Sequence, residues 1–187
     1  PFEVEYLVMD PGYSPENRHV IEENARKLKI PVHIFESDIF DSVYNVEKSP
    51  CYLCARMRRG HLYNFAKELG CNKIALGHHQ DDIIETLLMN ITHQGAFGTM
   101  PPRLKMDKFD MEIIRPMCLV EEKELVRIAE WKGYRKQIKN CPYESGSSRS
   151  DMKEVLARLE AINPEARYSI WNSMSNVQQD YLPQKNK

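Results

Sequence analysis

The stretch from Ser49 to Asn90 constrains this chain more than any other. It reads Ser-Pro-Cys51-Tyr-Leu-Cys54-Ala-Arg56-Met-Arg58-Arg59, then a helical pattern, a short apolar run, and Gly77-His78-His79-Gln80-Asp81-Asp82. Cys51 and Cys54 have the C-x-x-C spacing that lets one turn present two sulfurs to one metal centre. Leu62, Phe65, Ala66 and Leu69 recur at i, i+3, i+4 and i+7, so a helix is expected over Met57 to Leu69, with Gly70 as its left-handed C-cap. Lys73 to Leu76 reads as a short buried strand, Gly77 as a turn, and Asp81 or Asp82 as the start of the next helix. A strand–turn–helix of this kind belongs to an open α/β sheet, where ligands sit at the carboxyl ends of the strands.

Three groups of residues here admit two readings each. Arg56, Arg58 and Arg59 fall in the first turn of the expected helix, where the macrodipole favours acids. An anionic partner accounts for them: a thiolate-bound cluster, a nucleotide phosphate or an RNA backbone. The bland reading is a solvated basic face whose stems cover apolar surface. Asp82-Ile-Ile-Glu85 fits a D-x-x-E capping box, which makes Asp82 a helix cap and nothing more. Two carboxylates at such a turn can equally hold Mg2+ against a polyphosphate. His78 and His79 are metal ligands on one reading and hydrogen-bonded fixtures of the turn on the other.

Composition narrows the class. A chain of 187 residues suits one domain, with room for a small appendage and a real core. Lys+Arg 26 against Asp+Glu 27 leaves a net charge of -1, so any nucleic-acid surface has to be a local patch. No apolar run reaches membrane length and no signal-peptide pattern is present, so a cytoplasmic protein without a membrane partner is expected. Five cysteines is an odd count, and two form the C-x-x-C pair. That favours metal or redox work in a reducing compartment over a disulfide framework. Cys71 and Cys118 read as ordinary buried thiols.

Around the central stretch the pattern alternates. Val4 to Met9 is an expected strand ending in the turn Asp10-Pro11-Gly12. Ser14 as N-cap and Pro15 at N1 open a helix with Val20, Ile21, Ala25 and Leu28 inward, which must end before Pro31. Val32 to Phe35 is the next strand. Ile83, Ile84, Leu87, Leu88 and Ile91 give the helix after Asp82 a broad buried face, and His93 to Pro102 is an expected loop. Leu104–Met106 and Met111–Ile114 read as a hairpin or as strand–loop–strand, Glu121–Lys132 as an amphipathic helix stopped by Gly133. Asp151–Ile162 and Ala166 to about Val177 are helices. The expectation is an α/β fold: a doubly wound, mainly parallel sheet flanked by helices, with an α/β domain over 1–140 and a helical C-terminal extension over 141–187 packing on it.

Pro50-Cys-Tyr-Leu-Cys-Ala-Arg-Met-Arg-Arg-Gly60, Lys73-Ile-Ala-Leu-Gly-His-His-Gln-Asp-Asp82, Met100-Pro-Pro-Arg103, Ile114-Arg-Pro116 and Cys141-Pro142 closely resemble the tRNA 2-thiocytidine synthetases of the TtcA type. These belong to the PP-loop ATPase superfamily, with its nucleotide alpha-hydrolase-like fold, and the likeness runs in order from about Val4 to Tyr181. The resemblance implies an enzyme that uses ATP and Mg2+ to adenylate the C2 carbonyl oxygen of a tRNA pyrimidine, cytidine being the favoured base, before sulfur replaces AMP. It implies a [4Fe-4S] cluster on Cys51, Cys54 and Cys141, the fourth iron lacking a protein ligand. It assigns Asp82, Asp81 and Arg58 to catalysis, and Asp10, Gly77, His78 and Arg59 to the nucleotide. Implied partners are tRNA, ATP and a sulfur donor of the cysteine desulfurase system; a homodimer is left open. RNA contact falls to Arg56, Arg58, Arg59, Arg103 and the Lys132–Lys139 run.

This sequence departs from the family pattern in two places. The Ser-Gly-Gly-x-Asp-Ser loop that cradles pyrophosphate in the family is absent; it would lie one βα unit before Val4, and a sequence cut short there is the expectation. The late segment carries Glu144 where typical members have a second cysteine. Two rivals from other classes follow from the residues alone. One is a non-catalytic, zinc-holding nucleotide- or RNA-binding module using Cys51, Cys54 and Cys141 with His61 or His78. The other is a metal-dependent hydrolase built on His78, His79, Asp81 and Asp82.

Overall fold

Tyr6 to Asp10 form β1, and in the computed structural model, which describes residues 1–44, 46, 50–138 and 148–183, this strand pairs in parallel with β2 (Val32–Glu36). Tyr6 lies opposite Val32 and Asp10 opposite Glu36. Parallel neighbours need a crossover, supplied by α1 (Pro15–Leu28). Its ends obey the sequence signals: the Ser14 hydroxyl accepts the Asn17 N–H at 3.4 Å, and Lys29, at φ 55°, closes the helix on Ala25 and Arg26 carbonyls just before Pro31.

Two compact units emerge. The first comprises Pro1–Gly77, Pro102–Pro116 and Lys123–Ser145. Besides β1, α1 and β2 it holds α2 (Ile39–Tyr44), α3 (Pro50–Glu68), β3 (Lys73–Ala75), β4 (Arg103–Lys105), β5 (Glu112–Ile114) and most of α5 (Glu122–Trp131). β3 runs parallel to β5, and β4 closes against β5 as the antiparallel hairpin partner, in the order β3-β5-β4. The second unit comprises His78–Pro101, Met117–Glu122 and Gly146–Lys187. There α4 (Gln80–Met89) runs into a π-helical turn, Asn90–Gln94, and packs against α6 (Ser148–Ile162) and α7 (Ala166–Ser173). The α/β class with parallel pairing is therefore as expected.

Each unit has its own apolar centre. In the first, Met9, Ile39 and Val43 are buried, with Phe35, Leu53, Cys54, Met57 and Leu62 packed on them. Phe35 also stacks on Phe65, centroids 4.6 Å apart. In the second, Ile83, Ile84 and Leu87 of α4 are buried, as are Met152 and Leu156 of α6 and Ala166 of α7. Among the described residues no helix is long and apolar enough to cross a membrane.

Several local expectations change. α3 starts at Pro50, a full two turns before Met57, because proline at the first position sets the helical φ without losing a bond. β3 is the outer strand of its sheet, so Lys73 and Ala75 are exposed and the run is not buried. α4 begins at Gln80, which moves Asp82 from the cap to the third helical position. α2 has no counterpart in the sequence expectations, since six residues are too short for a periodic pattern. Cys71 and Cys118 are half-buried.

Candidate functional site

The early start of α3 reassigns its first turn. Cys51 now lies in it, where unpaired backbone N–H groups favour negative charge, and Cys54 follows one turn later. The three arginines lie one to two turns further on, so their position no longer breaks a helix rule. Cys51, Cys54 and Arg58 recur at i, i+3 and i+7 and share one stripe. Cys51 is exposed and Cys54 half-buried against the Met9–Ile39–Val43 core. Neither is in a disulfide. Arg58 is half-buried and donates to the Tyr13 hydroxyl at 3.5 Å, whereas Arg56 and Arg59 are exposed.

Tyr13 follows the turn that holds Asp10. The Asp10 Oδ1 accepts the N–H groups of Gly12 (3.0 Å) and Tyr13 (2.7 Å), and Oδ2 meets Arg18 Nη1 at 3.0 Å. Gly12 sits at φ +109°, with the Phe40 side chain 3.5 Å from where a Cβ would be, so the turn requires glycine. Burial pushes the Asp10 carboxyl up, but those N–H groups and Arg18 outweigh it and hold the pKa below the usual range. Gly77 closes the first unit's segment after β3, and half-buried His78 begins the second unit's.

The second unit contains a dense charge network at the start of α4. Asp81 Oδ2 accepts the Glu122 N–H at 2.7 Å, and Oδ1 accepts from Arg167 Nη1 at 2.7 Å. Arg167, 8% exposed, also donates to both Glu160 oxygens at 2.8 and 3.3 Å and lies 3.7 Å from Glu121. Burial opposes the Arg167 charge, yet Glu160 and Asp81 hold its pKa above the ordinary value. Asp81 is the converse: burial raises its pKa, and the Glu122 N–H and Arg167 bring it down overall. Asp82 Oδ2 accepts the His79 N–H at 3.1 Å, and Oδ1 receives Arg149 at 2.5 Å. His79 Nε2 lies 3.4 Å from Asp82 and its Nδ1 3.7 Å from Asp81. Lys153, one turn after Arg149, pairs with Glu122.

Sequence reasoning missed Arg149, Arg167 and Glu122, and gave Glu85 only a place in a capping box. An arginine in a helix otherwise rich in apolar residues, as at Arg167, was the one available signal, and it names no partner. Cys141 lies outside the described residues. Among the described residues no group of three or more His, Cys, Asp or Glu side chains is placed to hold a metal ion. Two thiols one helical turn apart, beside arginines and with Cys51 open to solvent, are nonetheless a donor pair suited to an iron–sulfur cluster.

Residues 11–138 match the model of the PP-loop domain family. The tRNA-cytidine(32) 2-sulfurtransferase of Geobacter sulfurreducens is 36% identical over 97% of this chain and 72% of its own length. The protein of that name from Citrifermentans bemidjiense is 35% identical, covering 98% and 74%. The U34-tRNA thiolase NcsA from Methanococcus maripaludis, solved with its [4Fe-4S] cluster, shares the fold at a TM-score of 0.72 and 22% identity, over 97% of this chain and 64% of that one. The chain thus belongs to the PP-loop domain family and, within it, to the family of the tRNA-cytidine(32) 2-sulfurtransferases.

Proposed function

We propose that this chain is an ATP-dependent tRNA sulfurtransferase that 2-thiolates a cytidine. The carrying observation is the thiol pair at the start of α3, with Arg58 on the same stripe, in a chain whose relatives are named for this reaction. The chemistry is coherent. The C2 carbonyl of cytidine is amide-like and a poor electrophile. Transfer of AMP from ATP to its oxygen releases pyrophosphate and converts that oxygen into a leaving group. Sulfur then forms the new C–S bond as AMP departs.

Cys51, Cys54 and Cys141 are the proposed ligands of a [4Fe-4S] cluster, which supplies an iron without a protein ligand to carry sulfur. Asp82, with Asp81 beside it, serves the Mg2+ of the nucleotide, and Arg58 the charge that develops on adenylation. Arg59, Asp10, Gly77 and His78 are the further residues that the family resemblance assigns to the nucleotide. A cysteine desulfurase system supplies sulfur, in the cytoplasm.

Anaerobic purification and reconstitution, followed by iron and sulfide analysis and mass spectrometry of nucleosides from treated tRNA, tests this. The expected result is an oxygen-sensitive brown protein that yields 2-thiocytidine with ATP, and a colourless Cys51→Ala variant. Absence of iron after reconstitution sinks the cluster assignment. Stoichiometric zinc in colourless wild-type protein points instead to the non-catalytic module.

A further inference from the structure

The neighbouring aspartates of α4 are not equivalent. Both oxygens of Asp81 are engaged by groups that are themselves buried or fixed: the Arg167 guanidinium, its side chain 10% exposed, and the Glu122 N–H. Taking Asp81 away would leave a buried guanidinium short of a partner, which is costly. Asp82 is held differently. Its Oδ1 partner is Arg149, whose side chain is 45% exposed and which sits in the first turn of α6, where a cation opposes the helix dipole. Arg149 also reaches Thr86 Oγ1, at 3.4 Å. This contact is exchangeable in a way that the Asp81–Arg167 contact is not.

One turn along α4 stands Glu85, 5% exposed, a carboxyl governed by its burial and by the charges around it. A carboxylate so largely withdrawn from water is unfavourable unless a cation neutralises it. Burial raises the Glu85 pKa, and the nearby cations that oppose this are Arg149 and Lys153, with Asp82 and Asp81 adding to the rise. Asp82 and Glu85 are separated by three positions on one helix, so they are neighbours on its surface.

We infer that the cation site of this chain is formed by Asp82 and Glu85, that it takes a divalent ion of the Mg2+ kind, and that the Arg149 guanidinium stands in for that ion until the metal displaces it. The inference rests on the reading that Asp82 serves Mg2+, and it moves the second carboxylate from Asp81 to Glu85. Two carboxylates are enough, because Mg2+ completes its shell with water and substrate phosphate.

Mn2+ alone, titrated into the full chain without nucleotide and followed by the loss of its free EPR signal, provides the test. Arg149→Ala is expected to tighten Mn2+ binding by about fivefold, the most an exposed ion pair is worth. Arg149→Gln gives the same direction should the alanine variant fold poorly. Asp82→Asn and Glu85→Gln each weaken binding by about tenfold or more, in the wild type and in Arg149→Ala, since each removes one of the metal's two charged ligands. Lys153→Ala, which removes a cation that acts on Glu85 but is not paired with Asp82, tightens it by clearly less than the Arg149 variants do. Unchanged or weaker binding in both Arg149 variants overturns the inference, as does equal tightening in Lys153→Ala. Should binding need Asp82 but ignore Glu85 and Arg149, the Asp82 reading stands and this inference falls. Should it ignore Asp82 as well, both fall.

Discussion

Arg167 is the residue on which the second unit's charge network turns. It sits at the start of α7 and binds Asp81 of α4 and Glu160 of α6, so it joins the helices that pack there. Arg167→Met is expected to lower stability by about 3 kcal/mol, because the carboxylates it leaves behind are uncompensated. The Asp81 carboxyl carries a pH signature of its own. Its pKa is depressed in the fold relative to the ordinary 3.8, so its contribution is present above that value and lost as pH falls through the folded pKa. Urea denaturation from pH 7 to pH 3 should show the wild type losing more stability on acidification than Arg167→Met. Equal acid sensitivity in the two would show that the pair does not shift Asp81. The Asp81-Asp82 motif is legible in the sequence, but its partners are not. Arg149 and Arg167 lie 67 and 86 residues downstream, and no local spacing rule spans such separations.

Among the elements, α1 shows both what sequence conveys and what it conceals. Ser14, Pro15 and Pro31 mark its ends by steric rules that act within a few residues, and the helix lies where those rules put it. Its polar face is another matter. Asn17 exchanges two bonds with the Ile138 backbone, donating to the carbonyl at 2.8 Å and accepting the N–H at 2.7 Å. Asn24, two turns on, does the same with Arg135, at 2.8 and 3.1 Å. Each amide replaces a strand neighbour for that backbone. Asn17 is 1% exposed, so Asn17→Ala empties a buried site and removes two part-buried hydrogen bonds, and is expected to cost about 2 kcal/mol. Asn24→Ala, at an exposed contact where water can substitute, costs under about 0.5 kcal/mol. Thermal melts of the two variants side by side check the ranking; a larger loss in Asn24→Ala contradicts it. The start of α3 is concealed for a local reason. Its first two turns carry cysteines and arginines in place of an apolar stripe, so periodicity first registers the helix after Met57.

At the scale of the molecule, the alternation of strands and helices conveyed the α/β class, because parallel pairing demands long crossovers that leave a coarse imprint on any sequence. Charge was less transparent. A net charge of -1 gives no general pull on RNA, so tRNA affinity must come from cations that are not already neutralised within the protein. Composition counts all basic residues alike, whereas the structure separates them. Arg135 is paired with Glu23 at 2.6 Å, Arg103 with Glu112 at 2.6 Å, and Lys132 lies over the Trp131 ring at 4.3 Å. Among the described residues Lys136, Arg56 and Arg59 are exposed with no carboxylate partner. Counterion release from a phosphate contact contributes about 0.9 to the slope of log affinity against log salt. If Lys136 makes one such contact, Lys136→Glu lowers tRNA affinity and reduces that slope by about one. Arg135→Ala removes a charge that Glu23 already offsets and leaves the slope nearly unchanged. Filter binding of unmodified tRNA between about 50 and 200 mM KCl distinguishes the two. An equal drop in slope for both variants would mean that the Glu23–Arg135 pair opens on binding, and an unchanged slope in Lys136→Glu would place the RNA surface elsewhere, with the exposed arginines of α3 next to be tested.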